Sequence, residues 1–264
     1  MKERIYIFII ITVLLFNSCN KVNSNILLPL NRLDNNPINK ILGFNGLNTD
    51  DLQIGIISNN KIRFFSWQSG DDNWNEVENV VFYLSDNTKD IFSTGNGIGV
   101  VTNNEVIFFE LLESVWHEKI ELVFNLPNNC QAVFSPFNWR YLNVIVNNKI
   151  KFYNFDSNEG IWSENFGLEL ELPQNTKGVF ADEWGGIFIV SNENIIKYYS
   201  RELSEKWDEI HRLEIKLQKN FRNAFFQYYL AIYDENDIKY YMSQYPEGTW
   251  VEILNAKFDL SAIN

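Results

Sequence analysis

Histidine and cysteine are scarce in this 264-residue chain, two of each. His117 and His211 have no second His or Cys at metal-ligand spacing, so neither reads as part of a zinc site. Once Cys19 is set aside for the reason given below, only Cys130 remains, and a lone Cys makes no intrachain bridge. In "NNCQAVF" it adjoins an apolar strand and reads as a buried, inert thiol. Positive charge is short as well. There are 22 Lys and Arg against 34 Asp and Glu, a formal net charge of −12, with no basic cluster. Such a body is repelled by phosphate backbones and anionic membrane surfaces, which excludes nucleic acid as a partner. Catalytic signatures are missing: there is no G-x-S-x-G, H-E-x-x-H, P-loop or EF-hand loop. "GNGIG" at 95–99 runs into a strand, not into a helix whose N-terminus could hold a phosphate. These absences set the expectation that the protein is not an enzyme and holds no metal or cofactor.

Long apolar runs are absent apart from one. Ile5 to Phe16 is apolar except for Thr12, and it follows the basic residues Lys2 and Arg4. It is too short for a comfortable membrane span, which takes about 20 residues, and reads as the apolar part of a secretory signal. After it comes "FNSC", a small residue directly before Cys. This resembles the lipobox of bacterial lipoproteins, with Phe16 and Asn17 in place of the usual Leu and Ala. The resemblance implies cleavage before Cys19 and lipidation of that Cys, giving a signal at 1–18. Several acyl chains hold a protein durably where one holds it marginally. Asn20 is not the Asp that retains lipoproteins at the inner membrane in some bacteria, so an outer-membrane anchor is expected. The segment to Lys40, with Pro29 and Pro37, reads as a tether.

What the chain has in quantity is aromatic side chains, 16% of residues, within 45% hydrophobic residues overall. That supports a substantial core and argues against disorder. The aromatics are periodic. Trp-x-Glu occurs at Trp74/Glu76, Trp116/Glu118, Trp162/Glu164, Trp207/Glu209 and Trp250/Glu252, at spacings of 42, 46, 45 and 43 residues. Aromatic pairs at 64–65, 108–109, 152–153, 198–199 and 240–241 precede the Trp, the first member by eight to ten positions. A single Phe lies further upstream in each copy: Phe44, Phe92, Phe134, Phe180 and Phe225. A repeat of this length means a propeller, a solenoid or another array.

The content of the unit decides between them. In the second copy, "DIFST", "GIGVVT", "EVIFFEL" and "VWHEKIELVF" are β-branched and aromatic runs separated by Gly and Asn, as strands are. "LSEKWDEIHRLEIKL" has a helical look, but its register with Trp207 assigns it to a fourth strand. Four strands repeated five times predict an all-β, five-bladed β-propeller of four-stranded antiparallel blades over 41–264. Asn-Asn turns between second and third strands suit tight hairpins, because Asn tolerates positive φ. The pattern resembles tachylectin-2-type propellers, most closely at "DDNW" (71–74). The resemblance implies a lectin with glycan sites. The Gly-Gly-Trp segment that the family uses for sugars is replaced here by "LPNNCQAV", "LPQNTKGV" and "LQKNFRNA".

The repeated Glu residues would be spread around a ring, whereas glycoside hydrolysis needs two carboxylates about 5–10 Å apart. They read as structural contacts, to backbone or to a Lys of the next blade. The Trp residues outside the repeat are different. Trp67 ends a third strand, and Trp139 and Trp184 lie between first and second strands, so all three fall on one face of the disk. Asp71, Asp72, Asp182 and Glu183 are their neighbours in sequence. Exposed Trp beside polar residues marks a contact surface. The expectation is therefore a protein-interaction module of the bacterial envelope, with glycan binding as the alternative.

Overall fold

The computed structural model describes residues 40–45, 52–68, 73–95, 97–136, 139–182, 184–201, 206–218, 221–227, 229–244 and 249–263. Cys19, Asp71, Asp72 and Glu183 lie outside these residues. The short alternating runs form antiparallel strands in five separate sheets. Blade I holds β1 (Lys40–Asn45), β2 (Leu52–Ser58), β3 (Lys61–Trp67) and β4 (Asn75–Tyr83). Blade II holds β5 (Asp90–Ser93), β6 (Gly97–Val101), β7 (Glu105–Leu112), β8 (Val115–Glu118) and β9 (Phe124–Asn125). Blade III holds β10 (Cys130–Phe134), β11 (Tyr141–Val146), β12 (Lys149–Asp156), β13 (Ile161–Glu164) and β14 (Leu170–Glu171). Blade IV holds β15 (Thr176–Ala181), β16 (Ile187–Ser191), β17 (Ile195–Ser200), β18 (Asp208–Glu209) and β19 (Ile215–Lys216). Blade V holds β20 (Asn223–Gln227), β21 (Tyr229–Tyr233), β22 (Asp237–Gln244), β23 (Thr249–Glu252) and β24 (Phe258–Asp259). The first strands cluster at the hub: β1 lies beside β5 and β20, β5 beside β10, and β20 beside β15. The molecule is a five-bladed β-propeller.

The three sequence markers meet at every seam between blades. Phe44 and Phe64 of blade I pack with Trp116 of blade II. The same trio is Phe92, Phe108 and Trp162 at the next seam. It is Phe134, Phe152 and Trp207 at the third, and Phe180, Tyr198 and Trp250 at the fourth. Phe225, Tyr240 and Trp74 close the ring between blades V and I. The Trp indole stacks on the first aromatic of the preceding blade's pair, at 5.8 Å for Trp74 on Tyr240, 5.7 Å for Trp162 on Phe108 and 5.1 Å for Trp207 on Phe152. Offset contacts of this kind add about 0.5–1.5 kcal/mol beyond area burial.

Each indole N–H also needs an acceptor once buried. Trp162 donates to the Leu122 carbonyl at 3.0 Å, Trp207 to Leu168 at 3.0 Å, Trp250 to Leu213 at 3.2 Å and Trp74 to Ala256 at 3.2 Å. In every case the acceptor is six residues beyond the Trp of the preceding blade. To turn that carbonyl outward, the fourth strand breaks. Short 3-10 turns at Ile120–Leu122, His211–Leu213 and Leu254–Ala256 divide it in blades II, IV and V. Blade III makes a turn at 166–167 in the same place. The unbroken strand expected over "VWHEKIELVF" is corrected accordingly: Ile120 is 75% exposed and Leu122 1%. Blade I is the exception. Its β4 bulges, with Asn79 at φ 61, and carries no 3-10 turn. The indole nitrogen of Trp116, which would look to Val80, is buried without a hydrogen-bond partner.

The second-to-third-strand turns divide into two kinds. Asn59 and Asn60 (φ 49 and 63) and Asn147 and Asn148 (φ 52 and 64) take the positive φ expected of them. In blade II the turn is instead held by Thr102, whose hydroxyl accepts from the Glu105 N–H at 3.2 Å. A further repeat emerges ten residues after each Trp, where Leu84, Leu126, Leu172, Leu217 and Leu260 stand. Their N–H groups donate to the carbonyls of Asn60, Asn104, Asn148, Asn194 and Asn236. This bond fastens the end of every blade to its own inner turn.

Candidate functional site

All blades run in the same sense, so the loops from first to second strand and from third to fourth strand emerge on one face of the disk. The Trp residues singled out in the sequence occupy that face very differently. Trp67 is only 8% exposed and packs into the seam with blade V, where Tyr240 and Phe258 belong to the same cluster. Trp139 is half-buried beside Phe155, at 6.4 Å, with the Arg140 guanidinium 4.8 Å above its ring. Trp184 is 77% exposed. It leans on Phe226 of blade V at 6.3 Å, and Phe226 stacks in turn on Phe188 and Phe188 on Phe180.

Asp182 explains how Trp184 is held out into water. Its carboxylate is 2% exposed. One oxygen accepts from the N–H groups of Trp184 (2.9 Å) and Gly186 (2.7 Å), and the other from the Tyr198 hydroxyl (2.7 Å). The Asp182 N–H donates to the Gly186 carbonyl at 3.0 Å. Gly185 sits at φ 87, a conformation natural to glycine. A Cβ on Gly186 would run into the Tyr198 hydroxyl and the Asp182 carboxylate. Burial pushes the Asp182 carboxyl above the ordinary aspartate range, against the pull of the Tyr198, Gly186 and Trp184 hydrogen bonds. The acid is thus a clamp spent on its own loop, and the loop is over-determined. An indole on such a loop is pre-organised for contact.

Three of the repeated Glu residues, Glu76, Glu164 and Glu209, make structural contacts, and these lie within their own blade. Glu164 accepts from Lys151 (2.7 Å) and Tyr153 (3.1 Å), and Glu209 from Lys197 (2.9 Å) and Tyr199 (3.1 Å). The lysine stands on the adjacent strand of the same sheet, not on the next blade as expected. Burial first and the carboxylate second push both tyrosines up to about 12. His117 is exposed, and His211 is 81% exposed beside Glu209. Sequence reasoning missed the apolar residues four positions after the Trp. Ile120, Phe166 and Leu254 are 75%, 84% and 76% exposed on the rim.

At the hub an opening of about 100 Å³ lies between the first strands of all five blades. At the end where these strands begin, Lys40 of blade I and Asp90 of blade II form an ion pair at 2.6 Å, 13% and 12% exposed. Among the described residues no three His, Cys, Asp or Glu side chains converge on a possible metal position.

No family model matches the chain, and no curated protein matches it. Solved structures do resemble it. The lectin SapL1, solved in complex with alpha methyl fucoside, is 14% identical over 80% of this chain and 78% of its own, with a TM-score of 0.46. A candidate 6-phosphogluconolactonase from Bacteroides uniformis is 12% identical over 80% and 69%, and one from Bacteroides fragilis NCTC 9343 is 10% identical over 80% and 68%, each with a TM-score of 0.42. The expectation that the protein is not an enzyme is corrected on this point. Among the chains it resembles are two described as enzymes, and missing sequence motifs do not exclude chemistry on such a ring. At these identities the likenesses transfer neither a reaction nor a ligand.

Proposed function

We propose that the protein is a lipid-anchored ring of the bacterial envelope that docks a protein partner on the face carrying Trp139 and Trp184. The observation that supports this reading is Trp184 itself, a large apolar side chain held 77% exposed by a buried aspartate clamp. Rigid aromatic anchors of this kind carry a large share of the energy in protein interfaces. Half-buried Trp139 with Arg140 adds a second anchor on the same face. Lipidation at Cys19 would tether the ring at the outer membrane through "NILLPLNRL" and its flanks. The test is crosslinking pull-down from native envelopes with the lipidated protein as bait. A single stoichiometric partner, lost in the Trp139→Ala/Trp184→Ala double variant, is the expected result. An unchanged partner band in that variant removes the face from consideration.

The second reading is glycan binding on the same face. It is favoured by the flat, accessible indole of Trp184, the kind of surface on which a sugar ring stacks. It differs in outcome: the bait would be eluted by a simple sugar, with no protein recovered.

A further inference from the structure

The carboxylate beneath the Trp184 loop is a charge without a counter-charge. Asp182 is buried, and the groups bonded to it, the Trp184 and Gly186 N–H groups and the Tyr198 hydroxyl, are all neutral donors. Among the described residues no Lys, Arg or His pairs with it. The cations of the strand that supplies Tyr198 face the other way. Lys197 on β17 is bound to Glu209, and Arg201, just after β17, lies 5.8 Å over the Trp207 ring in the seam with blade III. Tyr198 between them faces blade V. A buried charge left unpaired is costly, and salt screens it far less than an exposed one. Its field reaches the place where Trp184 meets water. The Trp184 N–H is 2.9 Å from the carboxylate, and the indole is tied to that nitrogen through Cα and Cβ alone. A cation on the indole face therefore stands within about 10 Å of the carboxylate, roughly the Debye length at 0.1 M salt. Phe226 meets the ring at 6.3 Å and 62° and covers one side, while the residue as a whole is open to solvent. The face of an indole is the aromatic surface that attracts cations best. The chain's net charge of −12 draws the same class of ligand from a distance.

We infer that the partner docked at Trp184 places an arginine or lysine side chain on the open indole face, held by cation–π attraction and by the uncompensated Asp182 carboxylate beneath the loop. The inference rests on the docking reading of this face and narrows the partner to a protein with a basic segment. Asp182 then has two effects: its hydrogen bonds position the indole, and its charge selects what binds there.

The test is NMR of the indole N–H groups on the full chain, titrated with acetyl-Gly-Arg-Arg-Arg-Gly-amide and with the same peptide carrying citrulline, the uncharged isostere, in place of each arginine. The expected result is a saturable shift at Trp184 with the arginine peptide. Binding should weaken by about threefold or more with the citrulline peptide, and likewise in Asp182→Asn. It should not weaken in Asp259→Asn, which removes the same charge from the opposite face, beside the Asn236 turn. No saturable shift at Trp184, equal binding of the two peptides, undiminished binding in Asp182→Asn or an equal loss in Asp259→Asn overturns the inference. The crosslinking pull-down separates this failure from that of the docking reading. A partner lost in Trp139→Ala/Trp184→Ala but undiminished in Asp182→Asn leaves docking on this face standing and overturns the cation. A partner unchanged in both variants removes the docking reading, and this inference with it.

Discussion

Asp182 shows most clearly how one buried residue sets the position of an exposed one. Its three accepted hydrogen bonds fix the loop from which Trp184 projects. Asp182→Ala leaves two N–H groups and the Tyr198 hydroxyl without their acceptor and is expected to cost about 2–3 kcal/mol. Asp182→Asn keeps an acceptor oxygen for both N–H groups and removes a buried charge. Because burial raises the folded-state pKa, the folded protein holds the proton more tightly than the unfolded chain. The stability this residue contributes is complete below the ordinary aspartate value and is lost as pH rises through the folded-state value. Denaturant titrations at pH 4 and pH 7 should therefore show Asp182→Asn at or above wild type at pH 7, with a smaller loss between the two pH values than wild type.

At the scale of strands, the seams make two predictions. Trp162→Phe removes the bond to the Leu122 carbonyl and is expected to lower stability by about 1 kcal/mol. Trp116→Phe removes a buried N–H that has no partner and should be neutral or slightly stabilising, although the two residues occupy the same place in the repeat. Paired urea titrations check the contrast. Gly99→Ala on β6 drives a Cβ into the Phe92 ring and should destabilise by about 1–3 kcal/mol by overpacking. Much at this scale was legible in the sequence. The Phe, the aromatic pair and the Trp recur because every seam needs one of each, so the period of the fold is written in residues that cannot drift. The break in the fourth strand was not legible. "WHEKIELVF" alternates like an unbroken strand, and the turn inside it answers a demand from the next blade, whose Trp needs a carbonyl. Trp67 misled for a related reason. It departs from the repeat as a surface residue might, yet it fills the seam with blade V, and no pattern within its own strand records that neighbour. Trp184 was recognisable because it stands outside the repeat, between a first and a second strand, but the clamp at Asp182 needs Tyr198 from another strand and shows only in three dimensions.

For the whole molecule, each of the five blades is completed by its own strands, and no strand is exchanged between first and last blades among the described residues. Closure rests on side chains: Trp74 stacks on Tyr240, meets Phe258 edge-on at 5.3 Å and donates to Ala256. Trp74→Ala is expected to cost about 3–5 kcal/mol and to expose the seam, which thermal unfolding with a hydrophobic dye would record. The residues that agree among the five copies build the ring, and the proposed contact with a partner rests on those that differ, Trp184 foremost. The most direct test measures both halves of that statement on the Trp139→Ala/Trp184→Ala variant: its melting temperature, and its crosslinked partner in native envelopes. The expected result is a folded ring melting within a few degrees of wild type and no partner band. A variant that is folded and still captures the partner at the wild-type level would contradict it.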